Sequence, residues 1–490
     1  MSDLSNVHQF SFPARIAASS VPHIIVRPSA HGVSHIPVHS FQDFYAWVER
    51  IRTLEKMPPS GTPPLHRMTA LARALCNPHN AYQSIHVAGT KGKGSSARML
   101  AAILNEIGFN TGLYASPHVM DPRERITRAG VFFSPAEYAS ACTHVYHTVK
   151  KTENLRDYGQ ATWFELITLL AFMLFAQQRM EWSVFEVGLG GRLDATNIIC
   201  PSICLLLPIE QEHTRILGTR IKSIAKEKGG IIKPYTPIFC FDQPEDALHV
   251  FKHIAREKHA PFFYLPDMVT HIESSIKHFT HTATLSFNAA HPVGRLFARN
   301  IHCTLALCDI VQAKNAALAA CAAKYLFPTV SETLIERGLS RAYVPARFEI
   351  MQEDPLIVID GAHTTQSIRC ACRTFSSLLP SAQYILLFAC AADKAVSQFP
   401  PLFSHAASEI FLTIPGTSKH ADIQKTYHAF RTTFHQTVPI FWSEDFASII
   451  SRALYASFAQ RKALLAIGSF YLAAEVKRIY ARTCHTLPNR

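Results

Sequence analysis

The sequence predicts an α/β protein with a mainly parallel central sheet and a second, smaller α/β domain toward the C-terminus. Three observations predict it. From about Phe41 to Ala342, short β-branched runs alternate with helix-period patterns. A glycine-rich segment, Gly89-Thr90-Lys91-Gly92-Lys93-Gly94-Ser95-Ser96, stands between a strand pattern and a helix pattern. A fresh series of strand patterns begins near Arg347, after a short connection at 343–346. At 490 residues the chain exceeds one core of usual size, so two domains are expected, over 41–342 and 347–490.

Residues 1–40 are rich in Ser, His and Pro without a sustained period, which predicts a flexible or surface-draped extension. Next come a strand at 84–88 (SIHVA), a helix at 95–107 and a strand at 112–115. A helix at 162–178 precedes strands at 182–187 and 204–209; its apolar run is about half a membrane span, so it reads as a buried helix. Over 262–292, Thr282, Thr284 and Ser286 alternate with Ala283, Leu285 and Phe287, which predicts a small antiparallel excursion. A helix near 312–326 follows. Strands at 355–360, 384–389, 409–414 and 463–467 then alternate with helices, giving the second domain a Rossmann-like form.

The composition, 48% hydrophobic and 17% charged, is that of a soluble globular chain. A net charge of +12 is open to nucleic acid, an anionic surface or polyanionic small substrates. No block of five basic residues and no basic stripe interleaved with aromatics occurs, so nucleic acid is not expected as a partner. No stretch is long and apolar enough for a signal peptide or a membrane span, and no membrane partner is expected. The cysteines are scattered, without a C-x-x-C pair, as in a reduced, cytoplasmic protein. His278 and His281 are spaced like a metal pair, but with no second ligand cluster they read as surface histidines.

The glycine-rich segment carries the chemistry. Gly89, Gly92 and Gly94 permit close backbone approach, so that successive N–H groups can face phosphate oxygens, and the helix N-terminus adds positive potential. Lys93 can reach β- and γ-phosphates, and the hydroxyl of Ser95 or Ser96 can join a Mg²⁺ shell. The plain alternative is a glycine-rich turn that happens to hold lysines. A second segment, Glu186 to Asn197, fails the dinucleotide fingerprint because Leu193 stands where glycine is needed. It does place Glu186 at the carboxyl end of a strand, where a carboxylate can bind Mg²⁺.

These segments resemble the Mur-ligase superfamily and, within it, the folylpolyglutamate synthase/dihydrofolate synthase family. The resemblance is carried by HVAGTKGKGSS, TGLYASPHVMDPRERI, FEVGLGGRLDATNII and EHTRILGTRIKSIAKEKGGIIKP, then by NAALAA, ARFE, DGAH, ADK and GSFYLAAEV. The resemblance implies a P-loop, Mur-ligase-like central domain and an ATP-dependent ligase adding L-glutamate to a folate or dihydropteroate carboxylate through an acyl phosphate. It implies that Lys93 holds phosphates within the loop that includes Thr90, and that Ser95, Ser116, Glu186 and His213 form the Mg²⁺ shell. Lys228 matches a lysine that the superfamily can carry as a carbamate, with an ordinary lysine as the alternative. Asn315 looks like the adenine contact, Arg347 and Asp360 like nucleotide contacts from the second domain, and His363 and Ser469 like neighbours of the incoming glutamate. The segment before Arg347 is the expected hinge, and a monomer is expected.

The sequence departs from the family pattern at four positions: Lys91 where Asn is usual, Glu212 where Asp is usual, Val311 where His is frequent, and Thr364 in place of Asn. Alternatives from the resemblance are another Mur-type amino-acid ligase or a nucleotide-binding relative with reduced turnover. Retention of Lys93, Ser116, Glu186, His213 and Lys228 argues against the second.

Overall fold

A computed structural model describes residues 38–54, 64–152, 159–277, 279–306, 311–379, 383–403, 406–417, 420–434 and 438–483. The extension expected over 1–40 lies outside the described residues as far as residue 37, and so does His278. From Val38 onward the chain forms one compact unit.

Among the described residues, the first sheet comprises β1 (Gln83–Ala88), β2 (Thr111–Tyr114), β3 (Ile126–Arg128), β4 (Trp182–Glu186), β5 (Ile203–Leu206), β6 (Ile238–Cys240) and β7 (Phe262–Tyr264). Their order is β3-β2-β4-β1-β5-β6-β7, with only β3 antiparallel to its neighbour. The central strands β1, β4 and β5 are covered on both faces, which is why they read as nearly continuous apolar runs. On one face lie helices Lys93–Ile107, Val311–Leu326 and Glu332–Arg341; on the other lie Phe41–Leu54, Pro64–Ala74, Pro135–Thr152 and Trp163–Gln177. Helix Trp163–Gln177 is buried along most of its length and starts at a Thr162/Glu165 capping box.

A second, antiparallel sheet of three strands holds β8 (Val269–Lys277), β9 (Thr280–Phe287) and β10 (Ile301–Leu305), in the order β10-β9-β8. The antiparallel excursion therefore starts later than its alternation implied, because Phe262–Tyr264 pairs in parallel with β6. His281 corrects a second expectation. It is fully buried rather than on the surface, because it occupies an inward position on β9, where its Nε2 lies 2.7 Å from Ser274 Oγ.

The third sheet holds β11 (Glu349–Glu353), β12 (Leu356–Asp360), β13 (Tyr384–Phe388), β14 (Ala407–Leu412), β15 (Ile440–Trp442) and β16 (Ala463–Ile467). Its order is β11-β12-β16-β13-β14-β15, parallel except for β11. The loop after β2 bridges the two large sheets. Val119 joins the apolar core on one face of the third sheet, together with Ala346, Ile359 and Leu472, and Met120 packs against it. Arg478 donates to the Met120 carbonyl at 3.5 Å. Three backbone N–H groups, of Val119, Met120 and Asp121, donate to the Glu124 carboxylate and fix this loop.

Candidate active site

The glycine-rich segment leaves the carboxyl end of β1 and enters helix Lys93–Ile107. Its path is set by backbone contacts with the loop after β5: Thr90 N–H donates to the Pro208 carbonyl at 2.8 Å, and Glu210 N–H donates to Thr90 Oγ1 at 3.1 Å. Gly92 is the helix N-cap with φ of 80°, and a Cβ there would lie 2.8 Å from Asn315 Oδ1. Glycine thus meets a left-handed turn and a close approach at once. Asn315 donates to Gln312 Oε1 at 2.9 Å, while its buried Oδ1 has no partner among the described residues. The buried hydroxyl of Ser96 is likewise unpartnered, Ser95 is buried beside it, and Lys93 Nζ folds back to the Thr90 carbonyl at 3.4 Å. Unpaired buried polar atoms are costly, so their gathering at a helix N-terminus marks a place built to receive a polar ligand.

Beside this loop stands Glu186, the last residue of β4. Its Oε2 accepts the Ser116 N–H at 2.8 Å and lies 3.3 Å from the position of a Cβ on Gly94. A side chain at position 94 would crowd the carboxylate. Arg98, one turn along the helix, is buried with its charge facing Glu186. Sequence reasoning missed Arg98; its signal was a cation on the apolar stripe of an otherwise buried helix.

His213 caps the short helix Thr214–Leu217 with a φ of 53°, a strained conformation for a non-glycine residue. Burial holds its imidazole below the ordinary range; Lys228, Lys394 and Lys93 push the same way, and Glu212 opposes them. The ring is therefore kept in the neutral form that can ligate a metal. Lys228, on helix Ile221–Gly229, donates from Nζ to the Gly89 carbonyl at 2.8 Å. Burial first, and the charge of Lys93 second, push its ammonium down to about 7.

From the third sheet, Arg347 sits between two non-glycine residues of positive φ, Ala346 at 53° and Phe348 at 44°. Gly361 N–H donates to the Ala346 carbonyl at 2.8 Å, and Phe348 N–H to Asp360 Oδ2 at 2.6 Å. The other Asp360 oxygen accepts the Ala362 N–H at 2.6 Å. Held this way, the Arg347 guanidinium lies over the Phe470 ring at 4.6 Å and adds its charge to the surroundings of Lys91 and Arg98. Ser469 Oγ accepts the Tyr471 N–H at 3.1 Å.

His363 reaches across to the first sheet's side. Its Nδ1 faces the Gly361 carbonyl at 2.8 Å, and its Nε2 lies 3.4 Å from Glu212 Oε1. Lys91 Nζ meets the same oxygen at 3.1 Å. Burial alone would raise the Glu212 carboxyl, but the neighbouring His363 ring and the Lys91 charge hold it well below the usual carboxylate range. Burial pushes the Lys91 ammonium down against the pull of Glu212; the carboxylate, bound by Lys91 and faced by the His363 ring, stays ionised. Two departures from the family pattern, Lys91 and Glu212, thus touch each other. Of the other two, Thr364 caps helix Thr365–Leu378 through a reciprocal pair with Ser367, and Val311 opens helix Val311–Leu326.

Residues 346–470 match the family model described as Mur ligase, glutamate ligase domain. The dihydrofolate synthase/folylpolyglutamate synthase of Bacillus subtilis is 29% identical over 455 residues, which span 90% of this chain and 99% of that protein. The folylpolyglutamate synthase of Lacticaseibacillus casei is 30% identical over 364 residues, 72% of this chain and 82% of that protein. A crystal structure of Mycobacterium tuberculosis folylpolyglutamate synthase complexed with ADP and AMPPCP has a TM-score of 0.79 and 25% identity, covering 91% of this chain and 99% of that one. A parallel sheet carrying a phosphate loop, a second parallel sheet facing it and relatives aligned along most of their length lead to one assignment: the chain belongs to the folylpolyglutamate synthase family of ATP-dependent ligases.

Proposed function

We propose that this chain adds L-glutamate to the carboxylate of a reduced folate or of dihydropteroate, with ATP first converting that carboxylate to an acyl phosphate. The observation that carries the reading is the confrontation of the phosphate loop, Glu186, His213 and Lys228 with Arg347 and His363 from the other sheet. In this reading residues 41–342 form the ATP domain, 343–346 the hinge and 347–490 the domain that receives glutamate. Gly89, Thr90, Gly92, Gly94 and Ser96 supply backbone and hydroxyl contacts to the phosphates, and Lys93 neutralises the transferring phosphoryl group. Asn315, with its unpaired Oδ1, is a fitting acceptor for an adenine amino group. Arg347 approaches the nucleotide from the second domain, and Asp360 holds the Arg347 backbone in place through Phe348.

The residues around Glu186 fit Mg²⁺. A carboxylate and the hydroxyls of Ser95 and Ser116 are hard oxygen donors, and Gly94 leaves open the space beside the carboxylate that a side chain would fill. His213 would be a fourth, neutral ligand. When bound, Mg²⁺ supplies charge neutralisation at the phosphates. Lys228 with an ammonium pushed down to about 7 is set up to react with CO₂, and a carbamate there would add an anion beside the loop. In this reading His363 and Ser469 orient the incoming glutamate. No helix among the described residues is long and apolar enough to cross a membrane, and the reading needs none.

The test is glutamate-dependent ADP release by the purified chain, with dihydropteroate and a reduced folate in parallel and products followed by mass. Repeated glutamyl increments on the folate are expected for polyglutamylation, and a single addition to dihydropteroate for the synthase activity. If neither acceptor stimulates ADP release, the reading is wrong. Lys93→Ala should abolish both reactions.

A further inference from the structure

The Glu212 carboxylate is a meeting point of three chain segments. Lys91 belongs to the phosphate loop, Glu212 directly precedes His213, and His363 follows β12 in the third sheet. Lys91 Nζ and His363 Nε2 address the same oxygen, Oε1, at 3.1 and 3.4 Å. The two loops on the first sheet's side are already bound to each other, because Thr90 exchanges hydrogen bonds with Glu210 and its N–H donates to the Pro208 carbonyl. Lys91 is therefore not needed to join them. What the carboxylate adds is the link to His363, whose ring is oriented from its own side by the Gly361 carbonyl. All three side chains are largely withdrawn from water, with exposures of 22, 17 and 25% for Lys91, Glu212 and His363. A charged pair in such surroundings is more tightly fixed than one on the surface.

We propose that Glu212 is a positioning residue that clamps the two halves of the ligase site together, with Lys91 as its anchor and His363 as the group it holds. The inference rests on the ligase reading above and deepens it. Lys91 aims the carboxylate, the carboxylate draws in His363, and the glutamate-receiving side is thereby set against the acyl-phosphate side. Binding of ATP to the loop does not require the clamp. Amide formation does, since both partners must be aligned at once. Two of the four departures from the family pattern, Lys91 and Glu212, act as one unit: a cation added to the loop is met by a carboxylate one methylene longer than aspartate.

A double-mutant cycle on the full chain tests this, using Glu212→Ala, Lys91→Ala and the double variant. ADP release is measured with ATP varied and then with glutamate varied. Each single change is expected to lower kcat/KM for glutamate about tenfold, in Glu212→Ala with the KM for ATP within about twofold, and the double variant is expected to be no worse than the more damaged single one. Costs that multiply in the double variant, or a loss in Glu212→Ala carried by the KM for ATP, would overturn the clamp while leaving the ligase reading intact. If the unmodified chain shows no glutamate-dependent ADP release, the ligase reading fails. The clamp is then judged by hydrogen exchange. Glu212→Ala should speed exchange of the amides at 361–365 and leave β1 protected; unchanged exchange at 361–365 would overturn it. Should alanine unfold the chain, as loss of β1 protection would show, Glu212→Gln is expected to give the same pattern and is held to the same criteria.

Discussion

Replacing Lys228 by methionine keeps the length of the side chain and removes its nitrogen. In the fold that nitrogen is buried and donates to the Gly89 carbonyl at 2.8 Å, the first residue of the phosphate loop. Burial, helped by Lys93, moves its ammonium from the ordinary 10.5 to about 7. At about pH 7 the neutral fraction then rises from roughly one in 3,000 to about one half, and only the neutral amine attacks CO₂. The same shift couples to stability. Between about 7 and 10.5 the unfolded chain holds a proton that the folded chain has released. Stability therefore rises with pH across that window, by up to about 1.4 kcal/mol per unit, and is lowest below it, where the buried ammonium must carry its charge. Lys228→Met should remove this contribution to the slope in denaturant titrations at several pH values. It should lower glutamate-dependent ADP release by at least about 100-fold, the scale expected when a charged group beside a transferring phosphoryl is lost. Protein equilibrated with ¹³C-bicarbonate should show a carbamate carbon that the variant lacks. An unchanged pH slope, together with no carbamate signal and near-normal turnover, would refute the reasoning.

Two further outcomes follow from contacts within the fold. Gly92→Ala introduces a Cβ 2.8 Å from Asn315 Oδ1 at a φ of 80°; ATP affinity, measured by calorimetric titration, should fall at least about tenfold, with the melting temperature little changed beyond the roughly 1 kcal/mol of left-handed strain. Glu165→Gln breaks a buried ion pair with Arg67 at 2.9 Å, far from the phosphate loop in sequence; it should cost about 3 kcal/mol in urea unfolding and leave the KM for ATP unaltered.

Strands such as 463–467 could be read from the sequence residue for residue, because strands covered on both faces are unbroken apolar runs and glycine punctuates their ends. Edge strands were harder. β3 and β11 are antiparallel additions, β3 only three residues long and β11 with no buried residue, and β15 spans only Ile440–Trp442, so none carries a distinctive period. In the site, the loop from Gly89 to Ser96 was legible since its function depends on local backbone geometry. The bond from Lys228 to Gly89 spans 139 positions and the contact of His363 with Glu212 joins different sheets, so no local pattern encodes either. In the sequence Lys91 is only a change from the family pattern; its partner is evident once the fold brings position 212 beside it. Arg98 is marked in the sequence only by being a cation on an otherwise apolar stripe, which does not say what it faces.

Val119 carries a consequence for taking this protein apart. It is supplied by the loop after β2 yet completes the apolar core beneath β12 and β16, beside Leu472. A recombinant piece starting near residue 343 would inherit the six-stranded sheet with a vacant socket, and the remainder would display Val119 and Met120 to water. Modularity in this chain is therefore a matter of sheets rather than of separable parts, and hybrids that exchange its C-terminal half with a relative's must carry the 117–121 loop along with it.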